Sequence, residues 1–357
     1  MKHRCFSIVF ILLVLAHVTV FDTIVLAKDV KLPSLKLKAT PFSKAKPHSR
    51  SPCLPKILPP QDYLSTTYYL TSCPDLEGII QNKINAWIQR DYTTAASIIR
   101  LHFHDCAVRG CDASILLNHA GSERRAEVSK TLRGFEVIDE IKAEVEKRCP
   151  KTVSCADILT AAARDAMVMV GGPFWEVPFG RKDGTISHGR EAHMVPQGHE
   201  NVTALIEFFQ SRGLNILDLV ILSGSHTIGR STCNSIRPRL SYFKNTVMAE
   251  PPIDVKYLNF LKKQCRRDSN YANLDATTPT TFDSMYYTNL EKKRGLLLTD
   301  QLLHSDARTA PIVAALAPQP QLFISQFAVS MVKLGNVQLL TGKNQGEIRR
   351  NCNYVNP

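Results

Sequence analysis

The chain has 357 residues, a formal net charge of +12 and ten cysteines. This length gives room for a large folded domain, and the 44% hydrophobic content excludes a wholly disordered protein. The positive charge by itself suggests an acidic partner. Nucleic acid is a disfavoured one, because the basic residues cluster in an N-terminal segment and the chain begins like a secreted protein.

Residues 1–27 have the pattern of a signal peptide. Lys2 and Arg4 form a basic start, an apolar run continues to about Leu26, and Ala27 ends a small-residue cleavage site. The run is long enough for an uncleaved membrane anchor to be the alternative, but Asp22 interrupts it and disfavours a stable span. We therefore predict cleavage, no membrane span afterwards, and an extracellular or cell-wall location.

Residues 28–62 form a basic, proline-rich extension. Between positions 28 and 60 there are seven prolines, and eight lysine and arginine residues face Asp29 alone, a net charge of +7. The segment has no helical period, which is typical of disorder. It is either an electrostatic tether to an acidic cell-wall polysaccharide such as pectate, or a solvated linker or processed propeptide.

Residues 63–357 form the predicted folded domain, and their pattern is mainly helical. Glycine or proline follows most of the apolar runs, as is typical of helix ends. Strand-like alternation is nearly absent. The predicted helices are Ala156 to Val170, Asn201 through Phe209, Asp218 to Leu222, Asp283 to Arg294, Asp306 to Ala317 and Gln321 to Leu334. Asp157 can complete a capping box with Ser154, whereas the family resemblance described below implies an interior pair with Arg181.

The stretch from Ala95 to Ser114 contains candidate catalytic and metal-binding residues. Arg100 and His104 are four residues apart, so on a helix they project from the same side. Three further side chains and two carbonyls offer the oxygen ligands that calcium prefers, and Cys106 and Cys111 would close the loop that holds them. Those oxygen ligands belong to Asp105, Val108, Gly110, Asp112 and Ser114.

A second stretch runs from Asp218 to Gly229. His226 follows an apolar helix there, a setting that suits a buried imidazole bound to iron. Its other ring nitrogen would need an acceptor to fix the tautomer. The alternative is an ordinary turn, since the spacing of a hydrolase nucleophile elbow is not met.

Together these motifs identify a family. The order R-x-x-x-H-D-C-x-x-x-x-C-D-x-S resembles the distal site of class III plant peroxidases, which are secreted haem enzymes, and the resemblance covers nearly all of the chain after residue 62. It implies a mainly α, two-part fold with haem b between a distal and a proximal half. It also implies two Ca²⁺ ions and a monomeric protein. It also implies hydrogen peroxide and small phenolic donors as substrates.

The resemblance assigns roles residue by residue. Arg100 and His104 are the expected catalytic pair, His226 the axial haem ligand, Asp300 its acceptor, and Pro196 the residue whose carbonyl orients the donor. Glu123 completes the distal calcium set. The implied proximal calcium ligands are Thr227, Asp275, Thr278, Thr281 and Asp283.

Cysteine spacing leaves the disulfide connectivity open, because eight cysteines can pair in many ways. Cys5 lies in the signal segment, and Cys53 is the odd one in the extension. The resemblance implies the four pairs Cys73–Cys149, Cys106–Cys111, Cys155–Cys352 and Cys233–Cys265.

The chain departs from the family pattern at the donor side and beside His104. Ser129 aligns with the asparagine that usually accepts a hydrogen bond from the distal imidazole. Glu127, His199 and Ser235 align with aromatic residues of the donor entrance, which predicts a more polar entrance. Asn201 begins a glycosylation sequon, Asn201-Val202-Thr203.

Two rival functions remain from the sequence. One is a calcium-stiffened wall-binding protein without catalysis, which the complete set of catalytic residues disfavours. The other is a non-haem metallohydrolase using His102, His104 and Asp105. Positions 102 and 104 point to different faces of a helix, so its geometry is poor.

Overall fold

The computed structural model of the chain describes residues 63–241 and 252–357, and every structural statement below concerns those residues. Internal contacts divide the chain into residues 1–56 and residues 57–357, and the described residues all belong to the second unit. The predicted signal peptide 1–27 and extension 28–62, with Cys53, lie outside the described residues.

The described residues contain twelve α-helices and one small sheet, which confirms the mainly helical prediction. In chain order the helices are α1 Leu76–Arg90, α2 Thr94–Val108, α3 Phe135–Arg148, α4 Cys155–Met169, α5 Val202–Gln210, α6 Ile216–Ser223, α7 Cys233–Ser241, α8 Val255–Gln264, α9 Met285–Glu291, α10 Leu298–Ser305, α11 Ala310–Leu316 and α12 Pro320–Leu334. The strands are β1 Arg230–Thr232 and β2 Tyr271–Asn273, antiparallel, with Ser231 opposite Ala272.

No single helix among the described residues is long and apolar enough to cross a membrane. The pair α11 and α12, bent by 119° at their junction, meets the length and composition requirement only when the two are taken together.

The first half of the fold is built around α4. Helices α1 and α2 both pack against it, and α3 packs on α1 and α4. Helix α4 is buried almost throughout because its sequence is nearly all small and apolar, including Ile158 and the run Ala161–Ala163. The neighbouring α2 has no glycine or proline, and it buries Ile98 and Leu101 against this core. The packing leaves one side of α2 to carry Arg100 and His104.

The second half is centred on α6, which contacts α5 and α12. An aromatic cluster fills the space between α9 and α12: the ring of Phe282 lies 5.0 Å from that of Phe323 and 4.7 Å from that of Phe327. Helix α6 begins with a capping box between Asn215 and Asp218, which satisfies the first free N–H groups. It leads directly into a short 3₁₀ turn, Gly224–Thr227.

Most predicted helices are found within one or two residues of their predicted ends. Two predicted starts, Asp283 and Asp306, are too early, and α9 and α11 begin at Met285 and Ala310. The carboxylate of Asp306 accepts hydrogen bonds from the backbone N–H and side chain of Arg308. This local turn competes with helix formation, as aspartate often does outside an N-cap position.

Of the two predicted partners of the Asp157 carboxylate, the structure shows Arg181. Ser154 does cap α4, since its Oγ accepts from the Asp157 backbone N–H at 3.1 Å. The Asp157 carboxylate, however, accepts from Arg181 Nη1 at 2.9 Å, from Tyr69 Oη at 2.8 Å and from Gly180 N at 2.8 Å. Arg181 also donates to the carbonyl of Gly335 after α12, at 2.9 and 2.7 Å.

Four disulfides join the described residues, and the pairs are those that the resemblance implies. They are Cys73–Cys149, Cys106–Cys111, Cys155–Cys352 and Cys233–Cys265. The first and third close long loops, with sequence separations of 76 and 197 residues. Bridges of this kind typically stabilise a fold by roughly 2–4 kcal/mol each.

The buried Asp157–Arg181 pair gives a first prediction. Both side chains are at most 1% exposed. Arg181→Met should lower the free energy of unfolding by about 3–5 kcal/mol, because Asp157 keeps a buried charge without a cation. The control is Lys83→Met, which removes a partly exposed pair with Glu140 and should cost less than about 1 kcal/mol. Denaturant unfolding of the oxidised protein measures both changes, and equal losses would contradict the prediction.

Candidate active site

Arg100 and His104 lie one turn apart on α2, so they project from the same side of the helix. Arg100 is exposed at the level of the whole residue, yet burial of its guanidinium lowers its pKa. Its Nη1 donates to the carbonyl of Thr131 at 3.2 Å and to Thr131 Oγ1 at 3.1 Å. The contact with Thr131 was not foreseen from the sequence, because it joins positions that no local pattern links.

His104 is held as a neutral imidazole. Burial lowers its pKa to about 3, and the positive charge of Arg100 contributes in the same direction. A neutral ring keeps one nitrogen free to accept a proton, which a general base requires. Its Nδ1 is buried and has no hydrogen-bond partner among the described residues.

Ser129 stands in the segment that passes beside α2, at the end of the 3₁₀ turn Glu127–Ser129. Its Oγ is also buried without a hydrogen-bond partner among the described residues. Ser129 Oγ and His104 Nδ1 therefore do not bond each other directly. Each such buried polar atom costs roughly 1–3 kcal/mol unless water or another group supplies a partner.

The opposite histidine is supported by a carboxylate. His226 lies in the turn Gly224–Thr227, and its Nδ1 donates to Asp300 Oδ1 at 2.7 Å. Burial lowers the pKa of His226, but the charge and hydrogen bond of Asp300 outweigh it and the pKa is raised overall. With the proton on Nδ1, the lone pair of Nε2 is left to bind a metal.

Close packing behind His226 explains the glycine two residues before it. A Cβ at Gly224 would lie 2.4 Å from Tyr287 Oη and 2.6 Å from the Phe323 ring, so no larger residue fits. Beyond the turn, Gly229 has φ +94°, and a Cβ there would meet Ala96 Cβ of α2 at 3.0 Å. The chain that follows His226 thus touches the helix that carries His104.

Both histidines lie within electrostatic reach of Arg100. The positive charge of Arg100 lowers the pKa of His226 as well as that of His104. The His226 side chain is 33% exposed, while its partner Asp300 is 2% exposed. The tertiary structure therefore brings together the residues that two separate sequence motifs predicted.

The predicted distal calcium residues also converge. Asp105 accepts from Ala113 N at 2.9 Å, and Asp112 accepts from Ser114 N at 2.9 Å, which curls the loop after α2. Val108 ends α2, and Gly110 turns the chain with φ +92°.

Glu123 joins this loop as a third buried carboxylate. Burial raises the pKa of Glu123 to about 8 and that of Asp112 to about 6, and burial with the charge of Asp112 raises that of Asp105. Glu123 Oε2 and Ser114 Oγ have no regular hydrogen-bond partner, although Ser114 lies close enough to lower the pKa of both Asp112 and Glu123. Buried carboxylates so crowded fit a bound cation.

The proximal loop closes in a similar way beside His226. Asp283 Oδ1 accepts from Thr227 Oγ1 at 3.2 Å and from Thr278 Oγ1 at 3.1 Å. Asp275 Oδ1 accepts from the backbone N–H of Thr278 at 2.8 Å, while its Oδ2 is buried without a partner. Thr281 belongs to the same loop, since its N–H donates to the Thr278 carbonyl at 3.0 Å. The set is rich in hard oxygen ligands, as calcium requires.

The rival hydrolase site does not form. His102 is fully buried on the far side of α2, with Nδ1 3.7 Å from Cys106 Sγ, and burial followed by the charge of Arg181 lowers its pKa to about 3. Across the described part of the chain, no group of three or more His, Cys, Asp and Glu side chains is arranged to hold a metal ion. The proposed calcium sites differ from such a group because they draw on hydroxyl and carbonyl oxygens.

The remaining predicted positions are half-buried or exposed. Pro196 is half-buried after the 3₁₀ turn Glu191–Met194, and His199 is exposed. Glu127 is exposed and paired with Lys130, and Ser235 on α7 is exposed as well. Asn201 is exposed, and its Oδ1 caps α5 by accepting from Ala204 N at 2.9 Å.

A helical fold with an arginine–histidine pair on one helix, and a carboxylate-supported histidine within electrostatic reach of that arginine, defines a haem peroxidase. The chain belongs to the peroxidase family: the family model described as peroxidase matches residues 80–319. Its relatives are class III plant enzymes. Peroxidase 7 of Arabidopsis thaliana is 51% identical over 302 residues, which cover 84% of this chain and 86% of that protein.

A second relative extends the same likeness to another plant. Peroxidase 2 of Oryza sativa subsp. indica is 45% identical over 300 residues, 82% of this chain and 92% of that one. The predicted family, fold class and enzyme class are thereby confirmed, and the enzyme oxidises small donors with hydrogen peroxide.

The residues of the site fit a haem. His226 has a fixed Nδ1 that leaves Nε2 free, and His104 has an unpartnered buried ring nitrogen, Nδ1. Imidazole held by a carboxylate is a typical axial ligand of haem iron.

The crowded distal carboxylates give a second prediction. Glu123→Gln replaces a carboxyl that must take up a proton on folding at pH 7, because burial raises its pKa to about 8, so without calcium the change should raise the free energy of unfolding by about 1–3 kcal/mol. In the presence of calcium the same change should reduce the stabilisation that the ion supplies. Unfolding with EGTA and with added calcium measures both effects.

The matched control is Glu136→Gln, an exposed residue at the start of α3. It should leave the calcium response unchanged. A Glu123 variant whose calcium response equals that of wild type would show that Glu123 takes no part in the distal site.

Proposed function

We propose that Arg100 and His104 activate hydrogen peroxide, that His226 is the axial haem ligand, and that the electrons come from small phenolic donors. The observation that supports this proposal best is the 2.7 Å hydrogen bond from His226 Nδ1 to Asp300 Oδ1, which leaves Nε2 free to bind iron. Haem, when bound between the two histidines, supplies the redox chemistry that no side chain offers.

His104 is the proposed acid–base residue. It accepts the proton of hydrogen peroxide and then returns it to the departing oxygen as the O–O bond breaks. The low pKa of the buried ring keeps it ready to accept this proton. Arg100 stabilises the negative charge that develops on the departing oxygen, and its guanidinium is already placed and partly desolvated.

His226 and Asp300 act from the other wall. The 2.7 Å hydrogen bond fixes the Nδ1–H tautomer, directs Nε2 to the cleft and increases its electron donation. Asp300 is held in turn by the backbone N–H of Leu297 at 3.2 Å. This support stabilises an oxidised iron.

Two Ca²⁺ ions are the proposed structural partners. The distal ion would lie among Asp105, Val108, Gly110, Asp112, Ser114 and Glu123, and the proximal one among Thr227, Asp275, Thr278, Thr281 and Asp283. Buried carboxylates with raised pKa values support both assignments. Because Asp105 follows His104 and Thr227 follows His226, each ion would stiffen the chain at one histidine.

The proposed setting is extracellular. Cleavage after residue 27 would release a monomeric enzyme into the cell wall, where the extension 28–62 would bind acidic polysaccharide. Class III relatives and the four disulfides support secretion. Exposed Asn201 is a proposed glycan site.

Separate loss of each histidine tests the central proposal. His226→Ala should lose or misligate haem, whereas His104→Ala should keep a normal Soret band but react with peroxide orders of magnitude more slowly. His193→Ala, at an exposed position, is the control and should match wild type in both respects.

The spectrum also separates the rival functions. A purified chain without a Soret band would be no haem enzyme, and haem without peroxide-dependent guaiacol oxidation would favour the wall-binding function. Equal haem loss in His104→Ala and His226→Ala would overturn the division of roles.

The serine beside His104 sets a fourth prediction. Ser129 makes no direct bond to the imidazole, so His104 should be held less firmly than by an asparagine amide. Ser129→Asn should accelerate peroxide activation, by about tenfold at most, because one neutral hydrogen bond is worth roughly 0.5–1.5 kcal/mol. Stopped-flow spectroscopy measures the bimolecular rate, and an unchanged or slower rate would show that Ser129 already serves this purpose through a bridge.

The extension gives a fifth prediction. Deleting residues 28–60 removes a net charge of +7 and should sharply weaken retention on polygalacturonate at low salt. Salt screens such binding over about 10 Å at 0.1 M, so retention of the full-length enzyme should fall steeply with ionic strength. Co-elution of the two forms, or a native N-terminus near Gln61, would refute the tether.

A further inference from the structure

Asp300 has a second side-chain donor besides the proximal histidine. Tyr286 Oη lies 3.0 Å from Asp300 Oδ1, the same oxygen that His226 Nδ1 reaches at 2.7 Å. The tyrosine ring also packs edge-on to the imidazole, with 6.3 Å between centroids. The three side chains come from α9, α10 and the turn after α6, so only the tertiary structure joins them.

Tyr286 is fixed as a donor. Burial raises the pKa of its phenol well above the usual value, and the charge of Asp300 adds to this, so the hydroxyl stays protonated. An ionised carboxylate oxygen can only accept, so the tyrosine O–H and the histidine N–H share one acceptor. Each donor draws electron density from Oδ1 and weakens its bond to the other.

We propose that Tyr286 is a positioning residue that tempers the electron donation of His226 to the iron by competing for Asp300 Oδ1. The inference rests on the proposed axial role of His226. Without the phenol, Oδ1 would accept from His226 alone, the imidazole would gain anionic character, and the oxidised state of the iron would be favoured. The hydroxyl thus sets how strongly the proximal side stabilises oxidised iron.

The neighbouring tyrosine offers a matched control. Tyr287 is also fully buried on α9, but its hydroxyl donates to the carbonyl of Val220 at 3.1 Å and not to Asp300. Tyr286→Phe and Tyr287→Phe each remove one buried hydroxyl with its hydrogen bond. They should cost similar stability, so a difference between their haem properties reports on Asp300.

The test uses the haem-loaded enzyme. Tyr286→Phe should move the iron–histidine stretching band of the ferrous protein to higher frequency in resonance Raman spectra. It should also favour the ferric state about twofold to tenfold in a redox titration, the equivalent of one hydrogen bond. Tyr287→Phe should leave both at the wild-type values. A ring-fluorinated tyrosine at position 286, a stronger donor, should shift both in the opposite direction.

The outcomes separate two failures. A wild-type protein that binds haem but lacks an iron–histidine band would refute the axial role of His226. A wild-type band that Tyr286→Phe does not move, or that both variants move equally, would refute the competition by Tyr286. Haem loss in Tyr286→Phe alone would also overturn the proposal, because it would make the tyrosine a residue of haem retention.

Discussion

The buried contact between Asp157 and Arg181 is the constraint on which the geometry of the site depends. Arg181 joins the first turn of α4 to the carbonyl of Gly335 at the end of α12. Helix α4 packs against α2, which carries Arg100 and His104, and α12 packs against α6, which leads into His226. One guanidinium with no exposure thus connects the supports of both histidines. Its desolvation is offset because every contact is a charged or carbonyl hydrogen bond.

The chain also buries several carboxyl groups close to the two histidines. Three carboxylates crowd the distal loop, two more face each other in the proximal loop, and Asp300 lies buried behind His226. Such groups cost stability unless a cation or a hydrogen-bonded partner compensates them. Since both loops begin at residues adjacent to the histidines, compensation by calcium would also restrain the catalytic groups. Bound calcium would therefore couple stability and catalysis at the same positions.

The two histidines differ in how firmly hydrogen bonds hold them. His226 has a short bond to Asp300, whose oxygens have two further donors, Tyr286 and Leu297. His104 has an unpartnered Nδ1 facing the interior, and the nearby Ser129 hydroxyl is equally unpartnered. Direct hydrogen bonds thus preorganise His226, whereas packing holds the His104 ring. Preorganisation of this kind determines how much of the available electrostatic stabilisation reaches the transition state.

The sequence determined the family, the helical class and the chemistry-bearing residues, because these depend on local spacing. Arg100 and His104 are four positions apart on α2, and the helix stops at Gly171, Gly213 and Gly335 follow from backbone rules. It left Asp157 between two partners, started α9 and α11 too early, and gave no sign that Thr131 contacts Arg100 or that Tyr286 shares Asp300. Those facts depend on residues brought together from distant parts of the chain. Distance in space, and the burial that fixes each pKa, exist only once the helices have packed.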